Sequence, residues 1–326
     1  MRLRLAVLVA LLAMGLSVAA WSQQTPSRTF DFKYTAQLAG IPTGADRVEA
    51  WLPIPVSDEH QDITALTVEA GAPVALARDA HGNQMLYAHI DDPAAEAVEI
   101  RFTARVTRRE HAGTPARLSD RERREYLRAE RLVPITGVIR RLAQEHTAGK
   151  TTDLEKARAI YDYVTNAMTY DKTGDGWGRG DALYACDALK GNCTDFHSLI
   201  IGMARAAGIP ARFAMGFPLP SQRGEGEIPG YHCWAELYIE GRAWLPVDSS
   251  EASKRPALRD YFFGRLDENR VQLTTGRDLV LEPKQAGAPL NYFVYPYVEV
   301  DGTPLATVTR QFGYADVSGA PLPRAR

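Results

Sequence analysis

Gly191-Asn192-Cys193-Thr194-Asp195-Phe196 decides how this chain folds, because its cysteine follows a Gly-Asn pair and opens an apolar helical pattern. Phe196, Leu199, Ile200, Met203 and Ala207 fall on one face, and Gly208 followed by Pro210 ends the helix. A thiol at a helix N-terminus feels the positive end of the dipole, which favours thiolate. The backbone N–H groups there suit an oxyanion. Gly191, lacking a side chain, is expected to let an acyl group approach the sulfur closely.

Two strand-like runs downstream supply what such a thiol needs. Tyr231-His232-Cys233-Trp234-Ala235-Glu236-Leu237-Tyr238-Ile239 alternates, Glu240-Gly241 makes a tight turn, and Ala243-Trp244-Leu245-Pro246-Val247-Asp248 returns. In this hairpin His232 and Asp248 lie about eight residues from the turn on opposing strands, which makes them neighbours. Cys193 then reads as a nucleophile, His232 as its general base and acid, and Asp248 as the carboxylate that orients the imidazole. His197, four residues after Cys193 on the same helical face, is a rival base, although a histidine one turn into a helix is more often packed in the core. Cys186, Cys193, His197 and either His232 or Cys233 could make a sulfur and nitrogen shell for zinc, but no two cysteines have the close spacing of structural zinc pairs. No metal or cofactor is expected. Cys233, adjacent to His232, should point to the other face of the strand and pack behind the sheet.

The Gly191–Phe196 stretch, Arg205-Ala206-Ala207-Gly208-Ile209-Pro210-Ala211-Arg212, the Tyr231–Glu236 run and Trp244-Leu245-Pro246-Val247-Asp248 together resemble the bacterial transglutaminase-like superfamily. These four ordered blocks cover roughly 60 residues, far more specific than any one motif. The resemblance implies a papain-like fold with a nucleophile helix packed on an antiparallel sheet, and gives Cys193, His232 and Asp248 the roles of nucleophile, base and orienter. It does not carry over calcium activation, for which no matching sites are recognised.

The remaining segments set the context. Arg2 and Arg4 precede an apolar run from Leu5 to Leu16 with small residues at Val18, Ala19 and Ala20, which reads as a signal peptide over residues 1–22 and predicts a periplasmic or secreted protein without a stable membrane span after cleavage. Loss of that leader would move the formal charge from -2 to about -4, a mildly acidic balance that argues against a nucleic-acid partner. Three cysteines leave at least one thiol free or paired with another molecule, and a bridge from Cys186 to Cys193 would shut the enzyme off.

The chain reads as α+β. Short alternating runs between Thr29 and Val106, separated by turn signals, predict an N-terminal antiparallel β-sandwich over residues 23–116, of about seven strands and without chemistry of its own. Mixed charge at 117–134 marks a linker, and 135–326 forms the catalytic domain. There Thr152 and Glu155 make a capping box ahead of a helix with Leu154, Ala157, Tyr161, Val164 and Met168 on one face. Gly174-Asp175-Gly176-Trp177-Gly178-Arg179-Gly180 is a flexible rim with one exposed aromatic, and the aromatic run Asn291–Val300 reads as a core strand, the alternative being that some of its rings face a groove and form part of the substrate cleft.

These features predict an exported cysteine hydrolase of amide, peptide or isopeptide bonds that works through a thioester acyl-enzyme on a protein, peptide or cell-wall peptide. A glutamine acyltransferase that crosslinks proteins, and a binding protein that keeps the fold without catalysis, are the alternatives. One oxyanion donor is the Cys193 N–H, worth about 3 kcal/mol. Asn192 and Trp177 are the candidates for the second.

Overall fold

The computed structural model describes residues 25–93 and 97–317, so the expected signal peptide lies outside the described residues. Strands β1 (Ser27–Ala39), β2 (Arg47–Ile54), β3 (Gln61–Ala70), β4 (Val74–Arg78), β5 (Gln84–Asp91) and β6 (Ala97–Arg109) come first. In β1, alternation puts Phe30, Phe32, Tyr34, Ala36 and Leu38 inside, and the same period serves β6. After the short β7 (Thr114–Pro115) come α1 (Asp120–Leu127), α2 (Gly137–Thr147) and α3 (Asp153–Ala167). Next are β8 (Thr169–Tyr170), α4 (Ala182–Ala188), β9 (Lys190–Gly191) and α5 (Cys193–Ala206). The rest runs β10 (Ala211–Pro218), β11 (Glu225–Glu227), β12 (His232–Ile239), β13 (Ala243–Val247), α6 (Ser249–Lys254), β14 (Arg270–Thr275), β15 (Tyr297–Val300), β16 (Thr303–Pro304) and β17 (Val308–Asp316).

The fold is α+β, with three five-stranded sheets of antiparallel pairs. One has the order β14-β10-β12-β13-β7 and carries α5 against β10 and β12. The other two, β11-β17-β1-β6-β3 and β16-β15-β2-β5-β4, draw strands from both ends of the chain. Across the expected boundary at residue 135, β17 pairs with β1 from Phe30 opposite Asp316 to Leu38 opposite Val308, and β15 pairs with β2. Returning strands close two edges that would otherwise expose unpaired N–H and C=O groups. The two halves also share one core. Phe217 of β10 lies 5.4 Å from Phe32 of β1 and 4.3 Å from Phe312 of β17 between ring centroids, and the Tyr34 hydroxyl donates to the Val294 carbonyl at 3.2 Å.

The local signals explain the helices. The Thr152 and Glu155 capping box starts α3, and Ala157, Tyr161, Val164 and Met168 are buried as the spacing predicts. A second box, Ser119 with Glu122, starts α1 in the charged linker. Helix α5 differs from the expected one-faced helix, because every residue from Cys193 to Arg205 is buried among α2, α3, α4 and the sheet. A helix buried all round must satisfy its polar side chains. Arg205 does so by donating to the carbonyls of Ala211 and Arg128 and to the Glu130 carboxylate.

Candidate active site

Helix α5 begins at Cys193, where its sequence says it should. Asn192 is the N-cap: its Oδ1 accepts from the Thr194 N–H at 2.9 Å, while Asp195 reaches back to the Asn192 N–H at 2.9 Å. Cys193, the first helical residue, therefore has an N–H without an intrahelical partner. The Asn192 Nδ2 donates to the Tyr231 hydroxyl at 2.9 Å, so one of its two hydrogens is already engaged.

The hairpin delivers the other two side chains. Ala235 pairs with Val247, so Asp248, one residue beyond, comes alongside Trp234 and its carboxylate reaches diagonally to the start of β12. His232 Nε2 lies 2.7 Å from Asp248 Oδ2, and the ring also hydrogen-bonds the Cys193 thiol. With Nε2 on the carboxylate, Nδ1 is the nitrogen left for sulfur. Burial disfavours the imidazolium, yet the Asp248 charge and hydrogen bond, with Cys193, raise the His232 pKa to about 10. Burial also opposes ionisation of Cys193, but hydrogen bonds with Cys233 and His232 and the imidazolium charge hold the thiol well below its ordinary value. Both shifts favour the charged forms, thiolate and imidazolium.

Asp248 is anchored from several directions. Its Oδ1 accepts from the Ser250 hydroxyl and the Glu251 N–H, both at 3.0 Å, and its Oδ2 accepts from Arg270 Nη1 at 3.2 Å. Arg270, buried on β14, also contacts Asp267 at 3.4 Å and lies over the Trp234 ring. Burial alone would raise the Asp248 pKa, but His232, His197 and Arg270 hold it well below the usual carboxylate range. Nothing in the local sequence around Arg270 announces this part.

His197, the rival base, is fully buried behind the pair, with Nδ1 at 3.6 Å from Cys233 Sγ and Nε2 at 3.6 Å from Asp248 Oδ1. Burial lowers its pKa against the pull of Asp248 and Cys193. Cys233 corrects the expectation that it packs behind the sheet: its thiol touches both His197 and Cys193, because it faces α5. All three cysteines are free, and Cys186, on α4, is half-buried.

The glycine-rich loop is not the flexible rim expected. Gly178 and Gly180 have positive φ, and their N–H groups donate to Asp195 at 2.7 and 3.0 Å. Successive N–H groups turned inward form a cradle for a carboxylate, and here the carboxylate belongs to the nucleophile helix. Trp177 is thereby held, half-buried, on the rim of a cavity of about 780 Å³ next to Tyr231. Gly191 has a different purpose from the one its position suggests. A Cβ there would fall 2.3 Å from Asp195 Oδ2, so the glycine makes room for this tie. Asp195→Asn replaces one accepting oxygen by an amide that faces an N–H donor. It should cost about 1–3 kcal/mol, with faster amide exchange at Gly178 and Gly180; unchanged exchange would show that the tie does not hold the loop.

The aromatic run 291–300 is also only partly core. Phe293 and Val294 are buried, whereas Asn291, Tyr292 and Tyr295 line the cavity and only Tyr297–Val300 is strand. The peptide turns away from the sheet before residue 297, which frees these side chains from the strand's alternation.

A helix that starts on a cysteine, set against an antiparallel sheet whose hairpin carries a paired His and Asp, is the fold of the papain-like cysteine enzymes. Residues 140–249 match the family profile of the transglutaminase-like superfamily, so this part of the chain is a transglutaminase-like core. It is 28% identical to an uncharacterized protein of Haemophilus influenzae, over 90% of this chain and 92% of that protein. It is 33% identical to the human kyphoscoliosis peptidase over 110 residues, 31% of this chain and 16% of that protein, so this likeness covers less than a third of the chain. Among solved structures, a Cytophaga hutchinsonii protein provisionally assigned as a cysteine protease superposes with a TM-score of 0.62 at 18% identity, covering 92% of this chain and 94% of that one. This is a likeness of fold. Among the described residues no helix is long and apolar enough to cross a membrane.

Proposed function

We propose that the protein is an exported cysteine hydrolase of amide, peptide or isopeptide bonds, with Cys193 as nucleophile, His232 as base and acid, and Asp248 as the group that orients His232. The observation that carries this reading is the 2.7 Å contact between His232 Nε2 and Asp248 Oδ2, with the same ring hydrogen-bonded to a thiol at a helix N-terminus. The thiolate attacks the carbonyl carbon and a tetrahedral oxyanion forms within reach of the Cys193 N–H. His232 gives its proton to the leaving amine, and the C–N bond breaks to leave a thioester. Water then attacks the thioester while His232 takes its proton. The C–S bond breaks, the acid departs, and the thiolate–imidazolium pair is restored. Asn192 and Trp177 are the candidates for the second donor.

Hydrolysis and transfer differ only in the acceptor, and one assay separates them. The purified protein is given glutamine-containing and isopeptide-linked peptides, with and without a fluorescent primary amine, beside Cys193→Ala. The expected result is Cys193-dependent release of ammonia or amine that exceeds incorporation of the label. Incorporation in excess would make the protein an acyltransferase. No turnover, together with ordinary thiol behaviour at Cys193, would leave a binding protein built on the fold.

A further inference from the structure

We infer that the cavity beside the proposed nucleophile selects acidic peptides, with Arg179 and Arg310 as the residues that read their carboxylates; this rests on the hydrolase reading above and names its substrate class. The cavity, about 780 Å³, is within the range of sites that hold a few residues of peptide. Its wall meets the nucleophile through Tyr231, which neighbours His232 in sequence and accepts a hydrogen bond from Asn192.

The charge on that wall is one-sided. Arg131, Arg179 and Arg310 line it, and no Asp or Glu does, in a chain whose formal net charge is -2. Arg131 is partly satisfied by Asp278 at 3.6 Å, whereas Arg179 and Arg310 form no ion pair among the described residues. Two exposed arginines on the wall of a concave, aromatic-lined space hold their charge for something that enters it. Arg310 is also pre-set: its guanidinium lies 3.6 Å from the centroid of the Tyr295 ring, which fixes its plane and leaves N–H edges for a carboxylate. Tyr295 packs edge-on against Tyr231 at 5.6 Å, so a continuous line of side chains runs from Arg310 to Asn192 and the nucleophile helix.

The contrast with the other side of His232 sharpens the assignment. There a smaller cavity, about 220 Å³, is lined by His232 itself and by Glu251 and Asp267 balanced against Arg255 and Arg270. The two sides therefore present different electrostatic surfaces to a peptide laid across the site. Only the side of Tyr231 is purely cationic, so carboxylates are read on one side of the scissile bond.

Binding to the Cys193→Ala protein, which cannot turn over, tests this without relying on catalysis. The probes are acetyl-Glu-Gln-Gly-Glu-amide and its counterpart with glutamine at both glutamate positions, titrated calorimetrically at low and high salt. The acidic peptide should bind about tenfold tighter or more, as expected for a charge-assisted hydrogen bond, and lose that advantage in high salt. Arg310→Gln and Arg179→Gln should each remove most of the difference and leave the neutral peptide unchanged. Equal affinity for the two peptides, no detectable binding of the acidic one, or discrimination untouched by both substitutions would each overturn the inference. Ordinary thiol reactivity at Cys193 beside intact charge discrimination would instead defeat the hydrolase reading alone.

Discussion

His232→Ala should cut alkylation of Cys193 at pH 6 by about a hundredfold, because an ordinary thiol with a pKa of about 8.5 is thiolate to only about 0.3% at that pH. In the intact protein the thiol is held well below its ordinary value by Cys233 and His232 against the opposing effect of burial. The imidazolium keeps its proton up to about pH 10, so the ion pair spans the range from the depressed thiol pKa to that limit. Removing the imidazole takes away both its hydrogen bond and its charge, and burial then pushes the thiol upward. The rate of thiol labelling against pH reads this directly. His197→Ala should retain most of the low-pH reactivity, since burial disfavours the charged form of His197 and the ring is packed behind the pair. If His197→Ala abolished that reactivity and His232→Ala spared it, the roles of the two histidines would have to be exchanged.

Arg270→Met should destabilise the fold by about 3–5 kcal/mol, the usual consequence of removing one partner from a buried charge pair. Arg270 is buried between Asp248 at 3.2 Å and Asp267 at 3.4 Å, so the substitution leaves one fully and one largely enclosed carboxylate without their shared cation. Both carboxyls are held below their usual range, in each case against burial: Asp248 by His232, His197 and Arg270, and Asp267 chiefly by Arg270. Groups with depressed folded pKa values stabilise fully above their unfolded values and lose that contribution as pH falls through the folded ones. The gap between wild type and Arg270→Met should therefore be complete near neutrality and narrow below about pH 4. Urea unfolding at several pH values measures it. Arg270→Lys should recover part of the loss; a gap that stays constant down to pH 3 would show that packing against Trp234, and not charge, is what Arg270 supplies.

The parts of the site that were legible share one property: each is specified within a short window. The helix start at Cys193, the capping box at Thr152 and Glu155, and the hairpin joining His232 to Asp248 all follow from local spacing. What escaped was set by partners far along the chain. Arg270 sits in an unremarkable strand, and only the pairing of β14 with β10 brings it to Asp248. Asp195 stood in plain view within the motif, yet its bond to a loop that precedes it by some fifteen residues cannot be read from helical periodicity. Cys233 went astray because strict alternation was applied at the first residues of a strand, where both neighbours approach α5. The pairing of the last strands with the first is not legible for the same reason, since nothing in residues 308–316 names β1 as their partner.

That last pairing has a kinetic meaning. Phe30 waits for Asp316, nearly the whole described chain later, before the edge of β1 is closed. Contacts of such long sequence separation form late and slowly. The segment that arrives last also brings Arg310 and, just before it, Tyr295 to the cavity wall. Closure of the β1 edge and completion of the cavity wall are thus tied to the same long-range pairing, so a change that loosens β17 from β1 should open the cavity as well.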